Sequence, residues 1–136
     1  MIRLLSLPLL LLPIPLLAHE HEPNDALFFD KPVANSFPAQ FEIEEDLHPE
    51  QSSFRVLEVA FLSNEKGERW AMVNVFNTAA SPRSIATNHV IALFADGSYR
   101  KPKSLSKRID GGTTETILIP FGVSKTPLVK LLTREF

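Results

Sequence analysis

The chain has 136 residues, a formal net charge of −2 and no cysteine. Without cysteine there can be no disulfides, Cys-ligated zinc, iron–sulfur centres or thiol catalysis. Without a basic excess, no global field draws nucleic acid. Four histidines and one tyrosine leave few groups for other chemistry.

The first 18 residues have the grammar of a targeting segment. Arg3 and the initiating amine precede an apolar stretch from Leu4 to Ala18, and Leu16-Leu17-Ala18 resembles a small-residue cleavage site. A membrane-crossing helix needs about 20 apolar residues. This run is shorter and contains Pro8, Pro13 and Pro15, which break an apolar helix and favour an extended cleavage site. We therefore expect a cleaved export signal over 1–18, with no transmembrane segment after cleavage. The lack of cysteine also excludes a lipoprotein. Export without disulfides or an Asn-x-Ser/Thr sequon points to the periplasm, or else to secretion.

Residues 19–50 form an acidic arm. Nine acids stand against Lys31 alone, and Pro23, Pro32, Pro38 and Pro49 interrupt any period. The expectation is an irregular segment with one short strand at Ala39–Ile43. Phe28, Phe29, Phe37 and Phe41 need somewhere to pack, so the arm is not simply disordered.

Residues 51–136 carry seven acids and 12 bases and read as a single β-domain. Ser53–Leu62 places Arg55, Leu57, Val59 and Phe61 on one face under a period of two. Asn64–Gly67 is a turn. In Arg69–Asn77, Ala71, Val73 and Val75 alternate with Met72, Asn74 and Phe76, completing a hairpin. Thr78–Ser84 is a loop, and Ile85–Phe94 is expected as one strand with Ile85, Thr87, His89, Ile91 and Leu93 on one side. Asp96-Gly97 predicts a tight two-residue turn that returns Ser98–Lys101 antiparallel to Ile91–Ala95. Asp110-Gly111-Gly112 is a further turn before Thr114–Pro120. Leu128–Glu135 fits strand or short helix by pattern alone. About seven short antiparallel strands with almost no helix describe an all-β fold, with an Ig-like β-sandwich first and a small barrel second.

Cleavage after Ala18 would start the mature chain at His19-Glu20-His21. The terminal amine, two deprotonated backbone amides and the His21 imidazole could wrap Cu(II) or Ni(II) in a square plane. Those three residues look like the familiar amino-terminal copper and nickel motif. A second arrangement, using His19 with His48 or His89, resembles the histidine brace of copper oxygenases and some periplasmic copper carriers. The plainer alternatives are a solvated, frayed end for His19 and His21, a solvated His48, and packing for His89.

Enzyme chemistry finds little footing. No Gly-x-Ser-x-Gly turn surrounds a serine, and Glu42, Glu44, Glu45 and Asp46 crowd together instead of facing each other across a cleft. No glycine-rich phosphate loop precedes a helix. A lipid-facing barrel is ruled out because Lys130 and Arg134 share the face of Phe136.

The basic cluster Arg100, Lys101, Lys103, Lys107 and Arg108 could bind an anionic partner, accept the acidic arm, or simply keep a loop solvated. We therefore expect a non-enzymatic binding module for another exported protein or envelope component. Its contact surfaces are expected at Ser98–Arg108 and at the Asn77–Arg83 loop. A periplasmic Cu(II)- or Ni(II)-binding protein using His19 and His21, with His89, is the alternative.

Overall fold

The computed structural model describes residues 25–31 and 47–136. Its strands are β1 (Phe28–Phe29), β2 (Gln51–Ser52), β3 (Phe54–Ser63), β4 (Glu68–Asn77), β5 (Arg83–Ala86), β6 (Ile91–Phe94), β7 (Tyr99–Arg100), β8 (Ser106–Ile109), β9 (Thr114–Val123), β10 (Leu128–Leu132) and β11 (Arg134–Glu135). A 3-10 turn, Thr87–His89, separates β5 from β6. The protein is all-β. A four-stranded sheet runs β1-β3-β4-β9 and a three-stranded sheet β10-β6-β7, with β5-β8 and β11-β2 as two-stranded ribbons. All pairs are antiparallel except β2 with β11.

The core forms where the inner face of the large sheet meets the smaller ones. Phe54, Ala71, Val73, Val75, Ile117, Ile119 and Phe121 from β3, β4 and β9 pack with Ile85, Val90, Ala92, Phe94, Ile109 and Leu128. The expected alternation in β4 is observed: Ala71, Val73 and Val75 are buried, while Met72, Asn74 and Phe76 are only partly covered. All four residues of β6 are buried, so that strand is covered on both faces. Ile119 has no solvent exposure, and truncating such a residue to alanine leaves a cavity costing roughly 2–5 kcal/mol.

Three local expectations need correction. The period of two in Ser53–Leu62 breaks at a bulge between Val56 and Glu58. Beyond it, Val59 and Phe61 stand opposite Val73 and Ala71 on the core face, whereas Arg55 stands opposite Phe76 on the other. The extra residue at a bulge shifts which parity points inward. Ile85–Phe94 is not one strand, because the Thr87–His89 turn divides it. The Asp96-Gly97 turn is a three-residue loop, Ala95–Gly97, closed by Phe94 N–H to the Ser98 carbonyl at 2.9 Å. A two-residue type I′ turn needs positive φ at both central positions, and only glycines here have it, Gly97 at +84°. The return strand β7 does pair with β6 as expected. The open choice over Leu128–Glu135 resolves as strand, β10 and β11.

The described part of the arm is not irregular throughout. Phe28 and Phe29 pair with Ser63 and Leu62, making β1 an edge strand of the four-stranded sheet. The Asp30 N–H continues the ladder to the Phe61 carbonyl at 2.8 Å. The expected strand at Ala39–Ile43 lies outside the described residues.

Candidate binding surface

The register of the four-stranded sheet dictates its outer face. Residues directly opposite across antiparallel strands project to the same side. Phe29, Leu62, Trp70 and Pro120 therefore form one row across all four strands, and Ala60, Met72 and Leu118 form the next. Leu62 is buried, but Phe29 is 66% and Leu118 45% exposed. A third row is polar. Asn74 donates from Nδ2 to Glu58 Oε2 at 2.7 Å and accepts at Oδ1 from Thr116 Oγ1 at 2.5 Å. A shallow groove of about 380 Å³, lined by Glu58, Val59, Ala60, Met72 and Asn74, marks the line where the apolar rows give way to the polar one. Trp70 is the only tryptophan of the chain.

Sequence reasoning missed this face for a physical reason. Met72, Asn74 and Phe76 read as the solvent side of one strand, which is unremarkable singly. Their continuity with Phe29, Leu118 and Pro120 depends on pairings between residues about 30 to 50 positions apart.

The basic cluster is not one patch. The Arg100 guanidinium lies 4.5 Å from the Phe94 ring centroid and donates to the Val123 carbonyl at 2.9 Å. Its charge is thus engaged within the fold. Lys107 Nζ sits 3.4 Å from Glu115 Oε2. The Lys103 backbone N–H bonds the Pro120 carbonyl at 2.8 Å, covering part of the free edge of β9. Lys101, Lys103 and Arg108 remain exposed, but Arg100 and Arg108 belong to different sheets.

The arm's described acids do not turn to those residues. Asp25 pairs with Lys66 at 2.5 Å, and Asp30 accepts from the Ser63 hydroxyl and lies 3.9 Å from Arg69. Glu50 accepts from Asn88 Nδ2 at 2.6 Å. Glu42, Glu44, Glu45 and Asp46 lie outside the described residues.

The Asn77–Arg83 loop is anchored from beneath. Asn77 is fully buried and donates from Nδ2 to the carbonyls of Ser81 at 3.1 Å and Ile109 at 3.0 Å. Its Oδ1 accepts from Ser53 Oγ and the Ala79 N–H, both at 3.0 Å. Thr78 and the stretch Ala80 to Arg83 are exposed.

His89 lies in the 3-10 turn and not in mid-strand. It is partly buried, its Nδ1 accepts the Ala86 N–H at 3.0 Å, and its ring stands 6.0 Å from that of Phe54. His19 and His21 lie outside the described residues, and His48 is exposed. Among the described residues no group of three or more His, Cys, Asp or Glu side chains gathers to hold a metal ion. No described helix is long and apolar enough to cross a membrane. No protein-family profile, curated protein or solved structure matches the chain.

Proposed function

We propose that the chain is an exported, Ig-like β-sandwich that acts by binding and not by catalysis. Its partner is another exported protein or envelope component, and the outer face of the four-stranded sheet is the contact surface. The supporting observation is the apolar continuity of that face, from Phe29 through Leu62 and Trp70 to Pro120, with Met72 and Leu118 beside it. Aromatic residues and methionine are enriched in protein interfaces, and a contiguous exposed apolar patch marks a surface that another molecule covers. The Glu58–Asn74–Thr116 ladder gives such an interface a polar rim on one side. By contrast, the basic cluster has two of its charges already engaged.

Leu118→Glu tests the reading. At a half-exposed position the substitution should change folding stability by less than about 1 kcal/mol. A charge at the centre of a desolvated interface should nevertheless abolish association, read as loss of the co-purifying partner from the exporting host. Retention of that partner at wild-type yield by the folded variant would contradict the reading.

A further inference from the structure

The strand order β1-β3-β4-β9 leaves β9 at the edge of the four-stranded sheet. The Pro120 carbonyl points away from β4, to the Lys103 N–H at 2.8 Å, whereas the Thr113 carbonyl points toward β4 and accepts from the Asn77 N–H at 3.0 Å. Backbone groups alternate sides along an antiparallel strand, so Thr114, Thr116 and Leu118 aim both N–H and C=O outward. Among the described residues none of these groups has a backbone partner. Natural edges are blunted by lysine, proline, a bulge or a covering loop. Here such protection starts only at Pro120, with Lys103 over it and the register shift between Arg69 and Trp70 beside it. From Pro120 back to Thr114 the pairing with β4 is unbroken. The one charge in that run, Glu115, is met by Lys107 of the same chain at 3.4 Å.

We propose that this edge pairs antiparallel with the same edge of a second copy of the chain, about a two-fold axis at Thr116. That register sets Thr116 opposite its own copy and Thr114 opposite the partner's Leu118, so each outward donor in the run meets an acceptor. The open run is closed at both ends within this chain. Pro120 has no N–H and its carbonyl is taken, and the Gly112 N–H goes to the Asn77 carbonyl at 3.0 Å. In the same register Pro120 falls opposite the partner's Gly112, so the two blocked ends coincide. A foreign strand has no reason to share those limits, whereas a second copy shares them by symmetry. The side chains agree with it. Thr116 meets its copy on the outer face, where threonine pairs are favourable, and each Glu115 brings its own Lys107, so the joint gathers its charges in neutral pairs. The pairing lengthens the sheet, leaves its outer face open and does not rest on the partner proposed above.

Sedimentation equilibrium of the full chain, purified alone, should show a reversible monomer–dimer equilibrium. The chain has no cysteine, so a single introduced one reads the register. Opposed residues that exchange both backbone bonds sit about 5.5 Å apart at Cα, within disulfide reach. Thr116→Cys should therefore give a disulfide-linked dimer under mild oxidation, and Thr114→Cys and Leu118→Cys should not. Proline is tolerated on an edge strand where the missing N–H faces outward, so Thr116→Pro should keep the fold and weaken dimerisation about tenfold or more. Thr116→Lys, which sets like charges directly opposite, should weaken it as well, and it decides the matter if the proline variant does not fold. A monomer at every concentration, undiminished dimerisation in either folded variant, or equal linkage at 114, 116 and 118 would overturn the proposal.

Discussion

Asn77 shows how much one side chain can hold. Its amide joins the end of β4 to the Ser81 and Ile109 carbonyls and receives Ser53 and Ala79 in return. Asn77→Ala leaves several buried polar groups without partners, and each such loss costs roughly 1–3 kcal/mol. Allowing for relaxation, we expect a loss of about 3 kcal/mol in urea unfolding, with Ser53→Ala costing clearly less. Asp96 gives a second residue-level expectation. Hydrogen bonds from the Ser98 hydroxyl at 2.6 Å and the Ser98 N–H at 3.0 Å hold its carboxyl below the usual carboxylate range. A lowered folded-state value means its contribution to stability is present above the ordinary carboxylate pKa and is lost as pH falls through the lowered one. An NMR titration should place the Asp96 midpoint below that of an unperturbed aspartate, and Ser98→Ala should move it upward. An unchanged midpoint in Ser98→Ala would contradict the stated cause.

Elements were readable where their signals are local. The β3–β4 hairpin, the alternation along β4 and the pairing of β6 with β7 follow from period-two patterning and glycine turns. What failed depended on information carried elsewhere in the chain. The β3 bulge is invisible because Val56, Leu57 and Val59 are apolar on either parity. The Ile85–Phe94 segment keeps its alternation through a turn held by His89, which accepts the Ala86 N–H, and by Asn88, which is bonded to the distant Glu50. The β1 strand spans two residues in an acidic stretch and owes its place to β3 and to Asp30. That dependence is testable. Asp30→Ala removes the acceptor of Ser63 and the neighbour of Arg69, so amide exchange at Asp30 should accelerate while exchange in β4 stays slow. Equal acceleration in both would mean that β1 is not a separable edge. Gly122 marks the other irregularity of this sheet, with φ of +83° beside the register shift between Arg69 and Trp70. Gly122→Ala should cost about 1–2 kcal/mol, measured by thermal unfolding, because the left-handed conformation is strained for any side chain.

For the molecule as a whole, the sheets divide their surfaces unequally. The inner face of the four-stranded sheet contributes Phe54, Ala71, Val73, Val75, Ile117, Ile119 and Phe121 to the core, and its outer face presents aromatic, Met and Leu side chains in register. The outer sheet face is assembled by tertiary pairing of strands that lie far apart in the chain. The basic loop drew attention because its charges are contiguous in sequence, yet folding sends Arg100 onto Phe94 and Lys107 to Glu115. Charge runs are legible along a chain, whereas faces are legible only across strands.

The central claim is that the outer face of the four-stranded sheet is covered by another molecule where the protein works. The most direct measurement places a photo-reactive residue at position 118 of the full chain in living cells, with position 125, exposed in the β9–β10 turn, as the control. The account predicts a discrete, saturable adduct at 118 and none at 125. No adduct at 118, or the same adducts from both positions, would contradict it.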